Sequence, residues 1–213
     1  LSSADADAYN LTNYNLVGRL TSPLGDKYEA QGGYSWTDYA YSSNPTNGAH
    51  VNPFWDTGVS ALNFTKYMTD NCGGASLDYV VIPLGVNNFH EGGNYATFTY
   101  IQASIEIFLN ALHTQYPNCK VLLVGQHKMP SIVYDFVKQS EIDKANWITQ
   151  CSALYETIAI DADYSSFVHY VNVHARFDSD NNAIMSSESV NLRSAETAEY
   201  ASDYVHPQHS VSG

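Results

Sequence analysis

Two residues near the end of this chain have the types and spacing of a proton-transfer pair. They are Asp203 and His206 in the stretch "SDYVHP". A neutral imidazole can take up a proton near neutral pH, and a carboxylate on its other ring nitrogen would fix the tautomer. Taken alone, a D-x-x-H match closed by Pro207 also suits a polar turn, so the pair needs partners elsewhere. Two further segments offer them. "PLGVNN" places Asn87 and Asn88 just after Gly85, where a side-chain amide can be aimed at a developing oxyanion. "YEAQGGYSW" places Gly32 and Gly33 between aromatic residues, where a bare backbone N–H could be presented to a substrate.

The elements that must position these groups read as alternating strands and helices. "YVVIPLG" (79–85) is a continuous apolar run closed by glycine, expected as a strand buried on both faces. Residues 97–113 carry Ile101, Ile105, Phe108 and Leu112 on one helical stripe. "KVLLVG" (120–125) is a second buried strand, Trp147, Cys151, Leu154 and Ile158 repeat the helical spacing, and "VHYVNV" (168–173) is a third strand. "YNLVG" (14–18) is expected to add another. Strand and helix in alternation imply a parallel sheet with right-handed crossovers. Ligands of such sheets bind beyond the carboxyl ends of the strands, which directs attention to the segments after Gly85, Gly125 and Val173. Residues 19–70 and 174–205 show poor periodicity.

Composition narrows the chemistry. The 213 residues suffice for one domain with a real core. Nine Lys and Arg against 22 Asp and Glu leave a net charge of −13, which argues against nucleic acid and favours a neutral or sugar-like ligand. The longest apolar runs are too short to span a membrane, and "LSSADADAYN" lacks the pattern of a signal peptide. Cys72, Cys119 and Cys151 are odd in number and widely spaced, so neither a disulfide framework nor a zinc site is indicated. His206 and His209 are separated by proline and lack any companion cluster, so no metal or other cofactor is expected. Low charge and 17 Tyr, with many Asn, Ser and Thr, suit a secreted, cell-surface or virion-associated protein.

In order and spacing, "EAQGGYSW", "PLGVNN" and "SDYVHP" resemble the second, third and fifth sequence blocks of the SGNH (GDSL-type) hydrolases, over residues 28–207. "NPFWDTG" and "VNLRSAETAEYASDYVHP" are similar to the branch of that family found in bacterial and phage surface proteins. The resemblance implies a single flavodoxin-like α/β/α domain over 1–213 with a central parallel sheet. It implies a serine esterase acting on acyl, above all acetyl, esters of carbohydrate. It implies His206 as the general base oriented by Asp203, and Gly33 and Asn87 as oxyanion donors. Tyr34, Trp36 and Asn88 are then expected to face substrate, with Phe89 as a further aromatic surface near the site.

The chain departs from the family pattern at two places. Asn88 stands where the third block usually has Asp. The first block, Gly-Asp-Ser with the nucleophile, does not occur, and residues 1–213 are expected to lack the family's first strand and the helix that closes its fold after the fifth block. The resemblance therefore implies a serine from outside residues 1–213, carried by an earlier segment or another chain beside the site. Ser35 does not replace it, because the G-x-S-x-G elbow is interrupted by Thr37. A competing reading is a carbohydrate-binding or structural module without catalysis.

Overall fold

A computed structural model of the chain describes residues 15–44, 48–91, 93–126, 139–173, 183–189 and 197–207. The chain divides into two compact units, Leu1–Val80 with His90–Cys119, and Val81–Phe89 with Lys120–Gly213.

In the first unit, small antiparallel ribbons and helices pack around aromatic rings. β1 (Leu20–Thr21) pairs with β2 (Lys27–Tyr28), and β3 (Trp55–Asp56) with β4 (Ala61–Leu62). The strand expected over 14–18 is displaced to β1. At Gly18 a β-carbon would lie 2.3 Å from the Tyr28 carbonyl, so the chain passes too close to its neighbour for any residue with a side chain. Helix α1 (Trp36–Ala40) is buried at all five positions. Helix α2 (Phe64–Cys72) starts where Asn63 accepts the Lys66 N–H at 2.9 Å and ends at Gly73, whose φ of 64° is the left-handed closure that glycine favours. Helix α3 (Phe98–Gln115) buries Ile101, Ile105, Phe108 and Leu112, the stripe that its periodicity predicts, and Leu109 besides. The Phe108 ring meets Trp36, Phe54 and Phe64 edge-on, with centroids 5.8, 5.9 and 5.0 Å away, the arrangement that ring quadrupoles prefer.

A parallel three-stranded sheet has the order β5 (Tyr79–Ile82), β6 (Lys120–Val124), β7 (Val168–Val171). In the second unit, helix α4 (Gln139–Ile160) packs on β6 and β7 and contributes buried Ile148, Cys151, Tyr155 and Ile158. The fold is thus of the mixed α/β class expected. β5 corrects the sequence reading in two respects. It stops at Ile82, because Pro83 has no N–H to donate to a ladder, and it is not buried on both faces. Ile82 is buried, whereas Tyr79 and Val81 are 65% and 60% exposed. A separate antiparallel hairpin, β8 (Ala183–Ser189) with β9 (Thr197–Pro207), was not foreseen. Among the described residues, no helix is long and apolar enough to cross a membrane.

Candidate functional site

In the second unit the strand-end loop is held by its own carbonyls. With the ladder broken at Pro83, the C=O groups of residues 83–85 need partners from elsewhere. Tyr155 donates its hydroxyl to the Leu84 carbonyl. Gln126 Nε2 donates to Leu84 O at 2.6 Å and to Pro83 O at 3.3 Å. Trp147 Nε1 and the Asn88 N–H both donate to Gly85 O, at 3.3 and 3.1 Å. The last of these bonds leads into the 3₁₀ turn Val86–His90, which carries Asn87 half-buried and Asn88 fully buried.

Gly85 is required in this loop. Its φ is +124°, and a β-carbon would stand 2.6 Å from Cys151 Sγ and 2.7 Å from the Tyr155 hydroxyl. Burial pushes the Cys151 thiol up to about 11, so it stays neutral against the glycine. Gln126, Trp147 and Tyr155 escape a motif search because they act on main-chain atoms. The helical stripe through Trp147 and Cys151 was the available signal, although it selects half-buried Leu154 and passes over buried Tyr155.

In the first unit the glycine segment ends in a polar cluster. Gly33 has the left-handed φ of +81°, and Ser35 caps α1 in an extended conformation (φ −116°, ψ 178°). The Asp38 carboxylate reaches back to the Ser35 N–H at 2.6 Å, which closes the first turn and places an acid at its positive end. The Ser35 hydroxyl lies 2.8 Å from Asp38 Oδ2 and 2.6 Å from Glu91 Oε1. Glu91 also accepts from Thr37 Oγ1 at 2.9 Å and Asn44 Nδ2 at 3.0 Å. Ser35 is 1% exposed, lacks the strained backbone of a nucleophile elbow, and faces carboxylates, so its role here is structural.

The aromatic residues expected to face sugar are placed differently. Trp36 is 0% exposed and packs on Phe108, because every position of α1 points into the core. Tyr34 is also buried. Its hydroxyl accepts the Val51 N–H at 3.2 Å, and its ring stacks on His50 with centroids 4.2 Å apart. Asn88 is 0% exposed, which assigns it to the loop interior and leaves no surface for substrate. Phe89 is half-buried, edge-on to Trp147 at 5.8 Å.

Asp203 and His206 lie on β9, in a part of the hairpin with irregular pairing. Ala183 pairs with Pro207 and the next residue, Ile184, pairs with Asp203, so residues 204–206 are extra on β9. His209, and the segments after Gln126 and Val173, lie outside the described residues.

No family model matches the chain, and no curated protein matches it. Two solved structures overlap it loosely. An aryl esterase from M. smegmatis is 16% identical, with a TM-score of 0.34 over 72% of this chain and 78% of its own. Est24, a carbohydrate acetylesterase from Sinorhizobium meliloti, is 15% identical, with a TM-score of 0.35 over 76% of this chain and 88% of its own. At TM-scores this low the overlap does not define a shared fold, and the chain's α/β class rests on its own parallel sheet.

Proposed function

We propose that the chain is the body of an SGNH-type serine esterase that removes acyl groups, acetyl above all, from carbohydrate. In this reading His206, oriented by Asp203, takes the proton from a serine supplied from outside residues 1–213. The serine oxygen attacks the ester carbonyl, and the oxyanion is met by the Gly33 N–H and the Asn87 side-chain amide. The imidazolium returns the proton to the departing sugar alkoxide, and water then hydrolyses the acyl-enzyme. The low charge and abundant uncharged polar residues go with a secreted, cell-surface or virion-associated protein.

One observation carries the reading. The turn bearing Asn87 stands just past β5, where Gln126, Trp147, Tyr155 and a glycine with no room for a side chain fix it in place. A preorganised donor of this kind needs no reorganisation as charge develops. The alternative, a carbohydrate-binding module without catalysis, draws support from Ser35, whose hydroxyl is tied to Asp38 and Glu91.

Hydrolysis of p-nitrophenyl acetate by the full natural polypeptide carrying these residues separates the two. Asn87→Ala is expected to lower kcat by about 10²- to 10³-fold. His206→Ala is expected to lower it further. Equal and negligible effects of both changes would establish the binding module instead.

A further inference from the structure

The turn that carries Asn87 has two ends, and the carbonyl clamp accounts for only the first. At that end the Asn88 N–H and Trp147 Nε1 donate to Gly85 O at 3.1 and 3.3 Å. The turn closes at His90, and the next residue is Glu91. Three side chains converge on the Glu91 carboxylate. Ser35 Oγ and Asn44 Nδ2 meet Oε1 at 2.6 and 3.0 Å, and Thr37 Oγ1 donates to Oε2 at 2.9 Å. All three are buried, and Ser35 and Thr37 belong to the start of α1, which begins two residues after Gly33. A five-residue 3₁₀ turn has few bonds of its own, so its ends decide where its side chains stand. A carboxylate suits the far end, because its two oxygens collect several donors and its charge strengthens each bond.

We propose that Glu91 is a positioning residue for the ester hydrolysis: anchored on the buried start of α1, it fixes the far end of the turn and so the place of the Asn87 side-chain amide. This deepens the esterase reading and rests on the assignment of Asn87 to the oxyanion. Glu91 touches neither substrate nor reacting atoms, so its loss acts through Asn87. A displaced donor loses part of what a deleted donor loses altogether, which sets the size of the effect between nothing and that of Asn87→Ala.

Glu91→Gln keeps the shape of the side chain and replaces one accepting oxygen by a nitrogen that cannot accept. In the full natural polypeptide it is expected to lower kcat for p-nitrophenyl acetate about tenfold with KM within about twofold. Added to Asn87→Ala, it is expected to lower kcat by no more than about twofold, since the donor it places is gone. Thr37→Val, which removes one donor from the other side of the contact, should show the same dependence on Asn87 if Glu91→Gln folds poorly. A loss that multiplies in full on the Asn87→Ala background, or no loss at all, overturns the proposal, because a role confined to holding α1 would act regardless of Asn87. If Asn87→Ala itself has no effect on hydrolysis, the esterase reading fails and NMR decides the positioning separately. The Asn87 side-chain amide signal is expected to move in Glu91→Gln while the Trp147 indole N–H, which reports the near end of the turn, does not. An unmoved Asn87 amide, or an equal shift at Trp147, refutes it.

Discussion

The two polar clusters solve the same problem in opposite ways. In the first unit, Ser35, Thr37 and Asn44 converge on a charged side chain, Glu91. In the second, Gln126, Trp147 and Tyr155 converge on neutral main-chain carbonyls of residues 83–85. A carboxylate can collect several donors but leaves them stranded if it is removed. A run of carbonyls spreads the donors out, so each can be lost singly, and the weak point moves to the backbone itself. The first cluster is built on charge, and the second has a neutral thiol and a glycine at its centre.

The sharpest test of the contrast is at Gly85. Gly85→Ala combines a φ of +124° with contacts of 2.6 and 2.7 Å to Cys151 Sγ and the Tyr155 hydroxyl. Strain and overpacking together are expected to cost about 3 to 5 kcal/mol in urea unfolding. Adding Cys151→Ala should recover only the part of the packing cost that the thiol contributes, and full recovery would show that the backbone is not the weak point.

Next in size is Glu91. Glu91→Ala removes the carboxylate that accepts from Thr37 and Asn44 and is expected to cost about 3 kcal/mol, with Glu91→Gln costing about half as much. A loss no larger for alanine than for glutamine would place the strength of the cluster elsewhere.

Alkali should unsettle the neutral cluster. The Cys151 thiol is raised by burial from 9.0 to about 11, so between those values the unfolded chain has lost its proton while the folded chain keeps it. Its contribution to stability is complete below pH 9 and falls as the pH rises toward 11, by about 2 kcal/mol. Measured as the urea midpoint against pH, the decline should flatten in Cys151→Ala. Tyr155→Phe should have the smallest effect, about 1 kcal/mol, because Gln126 still serves the Leu84 carbonyl. A loss as large as that of Glu91→Ala would mean that the carbonyl clamp is no more distributed than the carboxylate one.

What could be read beforehand follows from how each element is stabilised. α3 and β6 declare themselves, because their apolar residues recur with the period of the element: Ile101, Ile105, Phe108 and Leu112 are all buried, and Val121 and Leu123 alternate inward. β5 was legible as a strand but not in its exposure, since Tyr79 and Val81 read as core by type alone. α1 was missed because five residues are too few to show a period, and its fixing comes from Asp38 turning back on Ser35. Asn63 is a helix cap that accepts the Lys66 N–H and donates its Nδ2 to Asp56 Oδ2 at 2.9 Å, a role its position in the sequence did not declare. At the candidate site the glycine and asparagine positions were legible as turns. The Glu91 and Asp38–His50 contacts were not, for they join residues 12 to 56 positions apart through side chains with no periodic signature.

The bulge on β9 bears on how the hairpin tolerates changes in length. Ser202 and residues 204–206 have no counterparts on β8, whereas Met185–Ser189 pair one to one with Ala201 back to Thr197, without a gap. Removing a single residue from 204–206 would be absorbed locally, as slack taken up. The same deletion at Ala198 would carry Glu199, Tyr200 and Ala201 out of register with Ser187, Ser186 and Met185, up to the irregular stretch. The hairpin therefore has one end that can be edited and one that cannot; the border falls at Ala201, and Asp203 lies within the editable end.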